Sequence, residues 1–302
     1  MADTIGQALI RGIDINKTAV VFGEEESILI NFVSKSTTSA REMRWYQKTA
    51  GFLDTIDATG ATEALSQIQT THGTIPAKVK QTWTRQTSYV KIFKAESEMI
   101  SLEDMKDNDV DIFNTHVKDL VRAVVNQRDI RIYSVLIEAA AATPTTPAPN
   151  LTLTTASTQD GWNDLVTGNP ILDLMIGNRK IRAQGNKTQD IVAYMNPIEH
   201  QHLMNYIITV KGSSIPAMSS DLAKSGVLME VVGNKIVVSQ NATTDNVLQF
   251  IPQGACQYRE FMPLTTAVIE EPLVGKTIRV ATEGEAILVD PNKVHQITDT
   301  IV

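Results

Sequence analysis

The sequence predicts an α+β protein, and three observations carry that reading: an alternating extended ribbon, one very long amphipathic helix, and a mixed run of short helices and strands that ends in strands alone. In the ribbon, Ala77, Val79 and Trp83 fall on one side of the chain, and Lys78, Lys80, Thr82 and Thr84 on the other. That is the period of two expected of a strand over 77–85. A second extended run, 89–100, is rich in β-formers such as Tyr89, Val90, Ile92 and Phe93. Paired antiparallel, the two would form a ribbon too poor in apolar residues to own a core, and isolated hairpins are marginal in water. Another copy of the same chain is the most economical surface for it to lie on.

The elements follow in order along the chain. Residues 1–50 mix small polar runs, such as Ser34-Lys35-Ser36-Thr37-Thr38-Ser39, with short helical patterns over 24–32 and 40–48. They read as an arm with little core of its own. Thr70-Thr71-His72-Gly73-Thr74-Ile75-Pro76 marks a turn ahead of the ribbon. Asp107, Asn108 and Asp109 then supply capping side chains and negative charge at the start of a helix over 109–142. Val110, Phe113, Val117, Leu120, Val121 and Val124 recur at spacings of three and four, and Ile132, Val135, Leu136 and Ala139 resume the stripe after a charged step at Gln127-Arg128-Asp129. About 34 residues at roughly 1.5 Å each make a rod on the order of 50 Å long, a spine rather than an ordinary globular helix. A proline-stiffened loop, 143–150, stops it.

Beyond residue 160 helices and strands alternate. Residues 162–166 and 170–182 read as helical, with Pro170 suited to a first turn and Gly185 to a stop. Residues 190–195 read as a buried strand, and Asn196-Pro197 opens a helix that runs through Ile208. A polar loop over 211–225 precedes strands at 226–232, 235–239, 247–251 and 257–261. The closing strands, 276–281, 286–289 and 294–301, are punctuated by turns at Glu283-Gly284 and Asp290-Pro291-Asn292.

Composition narrows the function. A chain of 302 residues with 42% hydrophobic content can bury a sizeable core. Its longest apolar run, 28–33, is interrupted by Asn31 and is far too short to span a bilayer, so no membrane role is expected. The N-terminus lacks the pattern of a signal peptide, and the single cysteine, Cys256, suits a reducing compartment. Synthesis in the cytoplasm is the expectation. The Asn-x-Thr triplets at Asn16, Asn150, Asn186 and Asn241 read as chance. With 27 basic against 34 acidic residues the net charge is −7, which argues against affinity built on phosphate neutralisation. A mildly acidic wall that encloses nucleic acid without gripping it remains compatible.

The order arm, ribbon, spine, mixed α/β and closing strands resembles the major capsid proteins of tailed double-stranded DNA viruses, which share the Hong Kong 97-like fold. The resemblance rests on the Thr82-Trp83-Thr84-Arg85-Gln86-Thr87-Ser88-Tyr89 ribbon, the Ser101-Leu102-Glu103-Asp104 lead-in, the spine, and the strand and helix around Tyr194-Met195-Asn196-Pro197. It implies an N-terminal arm over 1–50, an extended β-hairpin loop over 51–100, a peripheral domain over 101–184 and 266–302 that holds the spine helix, and a mixed α/β axial domain over 185–265. It further implies an icosahedral virion shell of pentamers and hexamers around double-stranded DNA bound without sequence specificity. Portal, separate scaffold and decoration proteins would be the other partners. Trp83, Arg85, Lys78, Lys80 and Tyr89 become the candidate intersubunit contacts. An encapsulin-type nanocompartment shell around protein cargo is the rival, and the longer, more polar arm favours the virus.

Nothing in the residues supports an enzyme. His200 and His202, with Glu199 beside them, sit two apart on an expected helix and so do not share a face. Cys256 with His295, Glu270-Glu271 and Glu24-Glu25-Glu26 carry no spacing that demands chemistry, and no phosphate loop, dinucleotide fingerprint or nucleophile elbow occurs. No cofactor or metal is expected. Some relatives of the fold weld subunits through a lysine–asparagine isopeptide bond, and here Lys78 or Lys80 with Asn292 is the pairing whose placement roughly matches. That chemistry needs a buried carboxylate as base. Glu283, Glu285 and Asp290 are expected in solvated turns, so a non-covalent shell is predicted.

Overall fold

A computed structural model of the chain describes residues 19–23, 27–50, 82–103, 112–140, 154–156, 161–183, 190–210 and 230–301. In chain order the strands are β1 (Ser34–Thr37), β2 (Glu42–Ala50), β3 (Thr82–Tyr89), β4 (Lys91–Glu96), β5 (Ile100–Ser101), β6 (Thr154–Ala156), β7 (Ile191–Met195), β8 (Glu230–Val231), β9 (Asn234–Val238), β10 (Asn246–Phe250), β11 (Cys256–Glu271), β12 (Gly275–Leu288) and β13 (Val294–Thr298). The α-helices are α1 (Ile112–Ala140), α2 (Pro170–Ala183) and α3 (Pro197–Thr209). They fall into two compact units, the first drawn from Met1–Met43, Ser88–Ile132 and Tyr258–Ile287, the second from Arg44–Thr87, Tyr133–Gln257 and Leu288–Val302.

In the first unit the apolar stripe of α1 does what its spacing predicts. Val117, Val121, Val124 and Val125 pack with Ala19, Ile100 of β5, Leu264 of β11, and Ile278 and Val280 of β12. These side chains leave water almost completely, and each valine, leucine or isoleucine among them is worth about 1.5–3 kcal/mol. The sheet beneath them has the order β1-β11-β12-β4, with β5 also pairing β12. The 29 described residues of α1 span about 44 Å, and the capping run Asp107-Asn108-Asp109 lies outside the described residues.

The charged step in α1 does not face water: Arg128 and Asp129 are buried. Asp129 reaches back about a hundred residues. Its carboxylate accepts hydrogen bonds from Ser27 Oγ at 3.1 Å and from the backbone N–H groups of Ile28 at 2.8 Å and Leu29 at 3.2 Å. It thereby satisfies orphan donors at the start of a 3-10 turn, Leu29–Phe32. Burial raises the Asp129 pKa. Arg128 lies over the Tyr258 ring, 5.9 Å from its centroid, and burial pushes the Tyr258 phenol up to about 12.

Three further expectations change. The two ribbon runs are both strands, yet they do not pair with each other: β3 pairs β2, and β4 pairs β12 antiparallel from Arg279↔Glu96 to Gly284↔Lys91. The run expected to be helical over 40–48 is strand β2. Its alternation, Met43 and Trp45 buried against Arg44 and Tyr46 exposed, has the period of a strand. Glu283-Gly284 is no turn either, since β12 runs through it unbroken. Gly284 is required there by close approach, because a Cβ would run into the Tyr258 ring and hydroxyl.

The second unit is built on a sheet of order β6-β13-β10-β7-β9-β8. β10 runs antiparallel to both β13 and β7, β7 runs parallel to β9, and β13 parallel to β6. Leu174 of α2 and Leu203 and Ile207 of α3 pack on Ala193, Met195, Val247 and Ile297. The Tyr133 and Tyr194 rings meet at a tilt of 47° with centroids 5.3 Å apart. All five residues of β7 are buried, as its unbroken apolar run implies. The predicted start of α3 is present, with Asn196 Oδ1 accepting from Ile198 N at 3.1 Å and Pro197 in the first turn. Residues 162–166 form turns, not a helix. Trp162 is buried there, its Nε1 donating to Asp173 Oδ2 at 2.8 Å and its N–H to Thr300 O at 2.6 Å.

Candidate assembly surfaces

Of the ribbon the sequence singled out, β3 remains in a two-stranded ribbon, with β2 as its partner in place of β4. Along β3 exposure alternates, with Arg85, Thr87 and Tyr89 outward and Gln86 and Ser88 half-buried. Tyr89 is 63% exposed, and Tyr46 on β2, which sequence reasoning missed, is 62% exposed. The signal was available in the alternation of Met43, Trp45 and their neighbours. Trp83 lies on β3, but its side chain falls outside the described residues, as do Lys78 and Lys80 entirely. Trp45 is tied down instead, its Nε1 donating to Leu288 O at 2.8 Å.

Where β3 ends, a buried carboxylate fixes the chain. Glu285 of β12 is 1% exposed, and Arg131 of α1 donates to it through Nη2 at 2.5 Å and Nε at 3.2 Å, while Ser88 Oγ donates at 3.1 Å. A charge-assisted, two-nitrogen arginine contact of this kind has directional strength that a surface pair lacks. Arg41, next to β2, lies 3.8 Å from the neighbouring Glu283. The two glutamates therefore contradict the expected solvated turn: strand continuity, not turn chemistry, places them. The Asp290 turn is as expected, with Asp290 Oδ1 accepting from Asn292 N at 3.2 Å and Asn292 buried. A Lys78 or Lys80 partner for it lies outside the described residues.

The residues weighed for catalysis go to structural duties. Glu199 is fully buried at the start of α3, where its Oε1 accepts from Asp245 N at 2.6 Å and burial raises its pKa. Burial lowers the pKa of His200 on the same helix. Among the described residues no group of three metal-ligating side chains gathers. His295 is sealed in the second unit, its Nδ1 3.2 Å from Gln249 Oε1, and burial drives its pKa down to about 3. Gln249 Nε2 in turn donates to Leu174 O, Asn178 Oδ1 and Asn234 Oδ1 at 3.1–3.3 Å. His295 thus belongs to a buried polar network. Cys256 is buried, and Glu270 and Glu271 are exposed at the β11–β12 turn. Among the described residues no helix is long and apolar enough to cross a membrane.

No protein-family model and no curated protein matches the chain. Solved structures do. The capsid structure of the cyanophage P-SCSP1u superposes with a TM-score of 0.65 at 12% identity, over 90% of this chain and 88% of that one. A chain of Mycobacterium phage Che8 gives 0.61 at 15% identity, over 91% and 92%. The virus-like particle from Pyrococcus furiosus gives 0.58 at 9% identity, over 95% and 99%. The fold is therefore the Hong Kong 97-like fold of phage capsid chains, α+β in class and shared over nearly the whole length.

Proposed function

We propose that this chain is the major capsid protein of a tailed virus and assembles through pentamers and hexamers into an icosahedral shell around double-stranded DNA. One observation supports this above the rest: a two-stranded ribbon with outward tyrosines, on a fold shared with phage capsid structures along 90% of the chain. In this reading residues 1–50 are the arm, 51–100 the loop that overlaps a neighbour, 101–184 and 266–302 the peripheral domain and 185–265 the axial domain. Trp83, Arg85, Lys78, Lys80 and Tyr89, joined by Tyr46, are the ribbon's contacts with the next copy. The role is structural, with portal, scaffold or decoration proteins as further partners and the virion as its location.

A second reading, a nanocompartment shell around protein cargo, is favoured by the likeness to the Pyrococcus furiosus virus-like particle, which covers 99% of that chain. Electron microscopy and ultraviolet absorbance of the purified assembly separate the two. Closed shells that absorb as nucleoprotein support the virus, and shells that carry one dominant enzyme support the compartment. Sedimentation that shows only a compact monomer across salt, pH and crowding, with neighbouring genes co-expressed, defeats both. Although Glu283 and Glu285 are buried where solvated turns were expected, Glu285 is already engaged by Arg131 and Ser88, so in this account the shell is held non-covalently and boiled particles run as a single band near 33.1 kDa. A ladder of multimers contradicts it.

A further inference from the structure

The β11–β12 turn presents two features that folding alone does not reward. Leu273 is 94% exposed, and it holds the left-handed backbone conformation, φ 62°, which a branched residue adopts at a cost. Val274, beside it, and Met99, against Gly275, are also exposed. Acid flanks the apolar tip. Glu270 is exposed and pairs with Lys276, whereas the Glu271 carboxylate has no ion-pair partner among the described residues.

A surface of opposite character lies in the same unit, on the outer side of α1. Lys118 Nζ and Arg122 Cζ sit 6.0 Å and 5.8 Å from the Phe22 ring centroid. Both cations are exposed, one helical turn apart, with Asp119 also exposed between them in sequence, and Val21, the residue before Phe22, is half exposed. Together they make a basic, aromatic patch of the kind that takes an acidic, apolar knob.

We propose that the hairpin tip of one copy docks on this patch of the next copy, with Glu271 against Arg122 and Lys118 and Leu273 against Phe22 and Val21. The contact joins two different surfaces, so it repeats from copy to copy, and in a shell the rotation between copies closes it into a ring. It rests on the reading of the chain as a shell subunit.

The test is a charge exchange in the full chain, read as the assembled fraction by sedimentation, with thermal unfolding of the unassembled chain as the check on folding. Glu271→Lys and Arg122→Glu each lower the assembled fraction about tenfold, and the double variant recovers most of it. Lys118→Glu serves as a second receiving variant should Arg122→Glu fail to fold. Leu273→Gly adds an independent arm: glycine relieves the left-handed backbone, so the unassembled chain melts no lower than the parent while assembly falls about tenfold. Singles that assemble like the parent overturn the proposal, as does a Leu273→Gly chain of unchanged assembly. Failure of both double variants to rescue overturns it too. So does rescue of Glu271→Lys by Arg179→Glu, which would move the tip to the groove beside Met175 and Val232. A parent chain that never assembles removes this contact and the shell reading together, whereas shells without the exchange signature remove only this contact.

Discussion

The strand β7 and the ribbon strand β3 are both extended segments, and they differ in everything that decides whether a strand can stand alone. β7 sits between β10 and β9 in a six-stranded sheet with all five residues buried. β3 has β2 as its partner in a two-stranded sheet and alternates toward solvent at Arg85, Thr87 and Tyr89. The first draws its stability from its own unit. The second carries exposed aromatic area and strand edges of the kind a neighbouring copy would cover. In this fold, then, apolar burial marks what folds, and on the proposed shell reading exposed aromatic area marks what a neighbouring copy would cover.

The largest expected effect breaks the self-sufficient side of that comparison. Trp162→Ala removes a fully buried indole and leaves Asp173 without the donor at 2.8 Å, and it costs the isolated chain about 3–5 kcal/mol by denaturant unfolding. A loss under about 1 kcal/mol would show that the second unit does not depend on this core. Next is the root of the ribbon. Arg131→Ala leaves the buried Glu285 with Ser88 as its remaining side-chain donor, for a loss of about 2–3 kcal/mol. Arg131→Lys recovers only part, since an ammonium cannot reproduce the two-nitrogen contact.

On the other side of the comparison, Tyr46→Ala and Tyr89→Ala leave the unassembled chain within about 0.5 kcal/mol of the parent. Each weakens assembly by about 2 kcal/mol, read as a shift of roughly thirtyfold in the protein concentration needed for shells. Equal losses in the chain and in the shell would make the tyrosines ordinary folding residues.

The effect that is smallest at neutral pH is acid sensitivity. His295 has a folded pKa depressed to about 3 by burial, against about 6.5 when exposed. The unfolded chain therefore binds the proton more readily. Stability from this group is complete above about pH 6.5 and is lost as pH falls toward 3, by up to about 1.4 kcal/mol per pH unit. A His295→Gln chain should show a shallower acid slope than the parent over that window. Identical slopes would place the acid sensitivity elsewhere.

What was legible in the sequence was local. The valine spacing of α1, the apolar run of β7 and the Asn196-Pro197 start of α3 are each fixed by neighbours within a few residues, and each is present. What was not legible depends on partners far along the chain. Arg128 and Asp129 read only as a charged break in the stripe, because nothing local shows that Ser27 and Ile28 return to meet Asp129. Glu283-Gly284 read as a turn because glycine serves turns and close approaches alike, and Tyr258 decides between them. The β2–β3 pairing was missed for the same reason, since the two strands lie more than thirty residues apart. At the ribbon, the sequence marked Tyr89, which is exposed, while Tyr46 was hidden by a helical reading of its segment.

Hydrogen exchange on the same protein before and after assembly puts the comparison to its most direct test. The account predicts that amides of Glu42–Ala50 and Thr82–Tyr89 exchange quickly in the unassembled chain and gain at least about tenfold protection in the shell, while Ile191–Met195 is protected to the same degree in both. Ribbon amides already as protected as β7 before assembly, or unchanged after it, would contradict the claim that neighbouring copies complete this fold.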